Sequence, residues 1–145
     1  MVITATRSAE VASGCGACGG VPVRDPGQFV ERGLLRRGVE GRCRSCPEGW
    51  CETGTGPAPE EIRQALLARH GPARLRLAGQ PGRGGLVPVL RALRETYGLP
   101  LGETRLMAAE LSGAGLSGTF VERAYLAQGL RKRSVATTLA PPPPA

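Results

Sequence analysis

The chain has 145 residues, room for one ordinary domain or two small ones. Hydrophobic residues make up 41% but aromatic ones only 3%, so any core rests on Leu, Val and Ala. The net charge is +7, and no apolar run is long enough for a spanning helix, which excludes an integral membrane protein of that kind. The charge is uneven: residues 1–56 carry 7 basic and 6 acidic groups, residues 57–145 carry 12 and 6. A basic C-terminal half suits an acidic protein face or nucleic acid. Eighteen of the 19 basic residues are Arg, which we attribute to genome composition. The N-terminus lacks the apolar stretch of a signal peptide, so a cytoplasmic location is expected. In that compartment, closely spaced cysteines point to metal or redox chemistry before structural disulfides.

Residues 1–13 have no periodicity. Val2 to Thr4 fit a short edge strand, but the segment is assigned as a disordered tail. Cys15-Gly-Ala-Cys18 follows, with Gly16 and Gly19 allowing a tight knuckle in which amide N–H groups donate to sulfur. Val21 to Val23 and Gln28 to Glu31 are strand candidates, separated by the turn signal Asp25-Pro-Gly27. Val39 to Arg42 is a third, running into Cys43-Arg-Ser-Cys46. The pattern is C-x2-C, 24 residues, C-x2-C, and it resembles a zinc ribbon with four sulfur ligands: Cys15, Cys18, Cys43 and Cys46. Cys51 is expected to be a spare thiol, or a substitute for one ligand. The metal has a physical motive. A module spanning 14–52 holds too few large apolar groups to offset its chain entropy. Structural zinc contributes on the order of 10 kcal/mol in such small modules. Without the ion the module is expected to lose order.

Residues 47–57, PEGWCETGTGP, read as linker, with Trp50 packing on a neighbour. Pro59 opens a short amphipathic helix to His70, with Glu60 and Glu61 at its positive end and Gly71-Pro72 after it. Ile62, Ala65, Leu66 and Arg69 mark one face. His70, the lone histidine, is expected to cap the helix end. Ala73 to Ala78 alternates, with Leu75 and Leu77 inward and Arg74 and Arg76 outward. Gly79 to Gly85 is a flexible connector and matches no phosphate-loop pattern.

The first helix of the main unit runs from Val87 to Tyr97, burying Leu86, Leu90, Leu93 and Tyr97, and Gly98 closes it. A second runs from Leu101 to Leu111, with Thr104, Met107 and Leu111 on its stripe. Leu116 to Gly118 is a short strand. Thr119 and Glu122 form a capping box for a third helix to Arg133, in which Gly129 is tolerated only through tertiary packing. Val135 to Leu139 is the last strand, and a polyproline tail, 141–145, follows.

The order strand, helix, helix, strand, helix, strand comes with the turn Gly98-Leu-Pro-Leu-Gly-Glu-Thr-Arg105. Together they resemble the C-terminal domain of the bacterial ribosomal stalk protein, over residues 73–140. The fold class expected is α+β: a small zinc-ribbon-like β module, a linker and amphipathic helix (53–72), then a compact β-α-α-β-α-β domain. In the stalk family the first two helices bind translational GTPases. The resemblance implies a partner face at Val87, Leu90, Arg94, Glu103 and Arg105. Pro100 departs from the family's glycine, Leu86 from its basic residue, and the family's dimerisation helices and hinge are absent. The chain is therefore not expected to be the stalk itself.

Three functions compete. The first is a non-enzymatic zinc-binding adaptor that docks an acidic, partly apolar protein. The second is a nucleic-acid-binding zinc-ribbon regulator, disfavoured by the scarcity of stacking aromatics. The third is a thiol redox protein acting through Cys15/Cys18 or Cys43/Cys46. With one His and no nucleophile–base constellation, an enzyme ranks last.

Overall fold

The computed structural model describes residues 3–8, 11–12, 18–20, 22–80 and 84–141. The chain is mixed α+β and divides into two compact units, 1–71 and 72–145. Among the described residues there are four helices and two antiparallel sheets, and no helix is long and apolar enough to cross a membrane.

The first unit is built on a hairpin. Strand β3 (Pro22–Glu31) pairs along its whole length with β4 (Leu34–Cys43). The two residues between them, Arg32 and Gly33, have φ of 52° and 75°. Positive φ at both central positions is the I′ geometry that matches strand twist. Asp25-Pro-Gly27 is therefore not a turn but lies inside β3, and the reason is visible in the ladder. Strand β1 (Ile3–Ser8) pairs with Gly27 to Glu31, and β2 (Val11–Ala12) with Val23 and Arg24. Pro26, which has no N–H to give, falls in the gap between these two short partners. Ile3–Ser8 is thus a paired strand where a tail was expected.

Strand β5 (Gly49–Thr55) adds to the outside of β4, so most of the expected linker is sheet. Trp50 settles this register: it lies opposite Gly41, where an added Cβ would overlap the indole ring. A ring on a glycine is a close face-to-backbone fit that local sequence does not announce. Arg24, across from Gly41 on the other side, stacks over the same ring with its guanidinium carbon 5.9 Å from the centroid. Helix α1 (Glu60–His70) follows, its first turn acidic and its end closed by Gly71 at φ 80°. Glu60 accepts from Gln64 and Arg63, which lowers its pKa. Among the described residues, Val30, Leu35, Ala58 and Leu66, with Cys43, are the buried apolar side chains of this unit.

The second unit is a three-stranded sheet under three helices. Strand β6 (Ala73–Leu77) is central, between β7 (Leu116–Gly118) and β8 (Thr137–Ala140). Helices α2 (Val87–Tyr97), α3 (Leu101–Ser112) and α4 (Phe120–Lys132) supply the rest of the core. Leu75, Leu93, Leu111, Leu126 and Leu130 are its large members, with Val89, Ala92 and Ala108 between them. Leu86, Leu90, Tyr97 and Met107 pack at its margin, so the buried stripe of α2 is centred on Val89, Ala92 and Leu93. Gly98 ends α2 in the left-handed conformation. Thr119 and Glu122 make both reciprocal bonds of the capping box that starts α4. A Cβ at Gly129 would lie 2.5 Å from Thr96 Oγ1, so glycine there lets α4 approach α2. Residues 81–83 of the glycine-rich connector and 142–145 of the polyproline tail lie outside the described residues.

Candidate metal centre

The long hairpin carries the chemistry at its open end. Register places Pro22 opposite Cys43, so the segment just before β3 meets the segment just after β4. Cys18 comes from the first and Cys43 and Cys46 from the second. The second knuckle is closed by the Cys43 amide donating to Glu48 O at 2.9 Å. A backbone amide supports a sulfur on each side. Gly20 N donates to Cys18 Sγ and Ser45 N donates to Cys43 Sγ, each at 3.4 Å and each from two residues on. The two segments also touch: a Cβ on Gly20 would lie 2.7 Å from Ser45 Oγ, so only glycine fits there.

This geometry sets the Sγ atoms of Cys18 and Cys43 3.4 Å apart. With Cys46 they form a group of three sulfurs, all within 4.8 Å of one another, that could hold a metal ion. A tetrahedral thiolate site with metal–sulfur bonds of ~2.3 Å has sulfur–sulfur edges of ~3.8 Å. The observed spacing fits such edges. The donors are soft thiolates, and their electrostatics suit a cation. Cys43 is pulled down from 9.0 to about 6, first by the Ser45 N–H bond, against a burial that pushes it up, and then by Cys18 and Cys46.

Cys15, the fourth ligand expected from spacing, lies outside the described residues. Cys51 is exposed on β5, outside the three-sulfur group. It lies opposite Glu40, and alternation along β4 puts Glu40 and Cys43 on opposite faces of the sheet. That parity would have been readable in the sequence had β5 been recognised as a strand.

The five residues implied by the stalk resemblance lie on α2 and α3. Val87 is half exposed at the start of α2, while Leu90 is half-buried against the core. Arg94, Glu103 and Arg105 are exposed. Leu101 and Leu106 on α3 are exposed apolar residues, Leu106 at 70%, and the sequence reading had not singled out either as a contact. Leu106 stands beside the buried stripe of α3 in sequence, which hid its exposure.

No protein family matches this chain, and neither does any curated protein or solved structure.

Proposed function

We propose that this chain is a non-enzymatic zinc-binding adaptor. In this reading Cys15 completes the site begun by Cys18, Cys43 and Cys46. The ion staples the N-terminal module, and the C-terminal unit presents α2 and α3 to a protein partner. The observation that carries the reading is the three-sulfur group, in which backbone amides donate to the sulfurs of Cys18 and Cys43. Four cysteine thiolates closing one tetrahedral ion leave no open position for substrate, which is the signature of structural zinc. The likeness to the stalk domain is supported by the order β6-α2-α3-β7-α4-β8 over residues 73–140. Val87 would give apolar contact, with Arg94 and Arg105 pairing to carboxylates around it; Leu90 would contribute only its exposed part.

Metal analysis and thiol counting on the purified full chain test the metal reading. One zinc per chain is expected, with Cys51 the single fast-reacting thiol until a chelator exposes the others. A metal-free protein with two disulfides would overturn it in favour of thiol redox chemistry through the C-x-x-C pairs. For the partner face, Arg94→Glu with Arg105→Glu is expected to abolish partner binding and leave the circular dichroism spectrum unchanged. Undiminished binding would refute the face.

A further inference from the structure

The sheet of the second unit has one face under the helices and one without them. Leu75 points into the core, so its neighbours Arg74 and Arg76 point the other way, two residues apart on the central strand. Their heads converge. Arg74 Nη1 and Arg76 Nε donate to the same oxygen, Ala114 O, at 3.0 and 2.9 Å. Their stems are packed as well. A Cβ at Gly115 would lie 2.7 Å from Arg74 Cγ and 2.9 Å from Arg76 Cγ, so the glycine makes the seat for both side chains.

Two like charges held together want an anion. Neither arginine is paired with a carboxylate among the described residues. The cross-strand neighbours on this face are Ser117 beside Arg74, Thr138 beside Arg76 and Ala140, all exposed and none acidic. A guanidinium carries five N–H donors in a planar fork, and one carbonyl takes only one from each. Capping the turn after α3 therefore leaves most of the donors and the charge unused.

The spare chemistry has a definite match. A phosphate monoester carries ~1.5–2 negative charges at neutral pH and three acceptor oxygens. That balances two guanidiniums, and its oxygens accept paired N–H bonds from both forks. A lone carboxylate or a phosphodiester, with one charge, balances half as much. Base stacking has no platform here, since the face carries no aromatic ring.

We propose that the helix-free face of the three-stranded sheet binds a phosphate-monoester group, held by Arg74 and Arg76 and flanked by the hydroxyls of Ser117 and Thr138. The site is independent of the metal reading and of the α2–α3 face.

The test uses the full chain with its metal content as purified, at low ionic strength, followed by amide chemical shifts. The probes are inorganic phosphate, a phosphoserine peptide with its unphosphorylated counterpart, and a single-stranded oligonucleotide lacking terminal phosphates. Saturable shifts at Gly115, Ser117 and Thr138 are expected with phosphate and with the phosphopeptide. The tighter of the two identifies the source as a small molecule or a modified protein. Arg74→Gln with Arg76→Gln should weaken binding at least about tenfold, and Arg131→Gln, at an exposed arginine of α4, should not. Arg76→Lys, which keeps the charge and loses the fork, should fall between and guards against misfolding of the double variant. The proposal is overturned by any of three results: no saturable shift, undiminished binding by the double variant, or an oligonucleotide that binds as tightly as the phosphopeptide.

Discussion

Cys18 and Cys43 are 25 positions apart in the chain, yet their sulfurs are 3.4 Å apart. The ten-residue ladder between β3 and β4 closes that distance, because it returns Cys43 to the level of Pro22. Cys18, Cys43 and Cys46 are therefore positioned by the whole hairpin, and on the proposed metal reading the hairpin's open end depends in turn on the ion they would bind. Each half of this arrangement can be probed separately.

Replacing Cys43 or Cys46 with Ser should cut bound metal to well below one ion per chain and remove amide-exchange protection from residues 18–48. Protection of α2, α3 and α4 should be retained, since their core contains no cysteine. Cys51→Ser should change neither, because Cys51 lies outside the three-sulfur group. Metal analysis with hydrogen exchange checks both.

If the knuckle keeps its fold when the ion is removed, the thiol of Cys43 should ionise near pH 6, followed by ultraviolet thiolate absorbance; if the module opens, as the metal reading expects, it should ionise near 9. The principal cause of the lower value, the Ser45 N–H bond, exists only in the folded knuckle. The folded state thus binds fewer protons than the unfolded one between about pH 6 and 9. The resulting stabilisation is fully present above about 9 and is lost as the pH falls through about 6. Cys18→Ser should raise the midpoint by removing one of the lesser contributors.

Thr119→Ala should destabilise the second unit by about 1 kcal/mol, the usual cost of an N-cap side chain. Thr119 is buried and its hydroxyl accepts from Glu122 N at 3.2 Å, while Glu122 accepts from Thr119 N at 3.0 Å. Denaturant melts followed by helical circular dichroism measure it, and metal content should not change.

Gly41→Ala should destabilise the first unit by about 1–3 kcal/mol, as overpacked sites do. The new methyl would occupy the space of the Trp50 ring. The fluorescence of Trp50, the only tryptophan, reports the displacement directly.

Sequence alone determined what is decided within a few residues. Pro59 and Gly71 bracket α1, Gly98 ends α2, and Thr119 with Glu122 starts α4, because caps act through bonds to backbone groups three or four positions away. The alternation of Ala73 to Leu77 placed both arginines outward for the same local reason. Tertiary structure decided the rest. Asp25-Pro-Gly27 carries a turn signal and lies in a strand, because the gap between β1 and β2 accepts a proline. Gly49–Thr55 looks like linker and is a strand, because Trp50 finds Gly41. Which sulfurs cluster, and that Arg74 and Arg76 meet on one oxygen, depend on strands and turns brought together from distant parts of the chain. Such pairings depend on complementary shape across the sheet, which no short window of sequence contains.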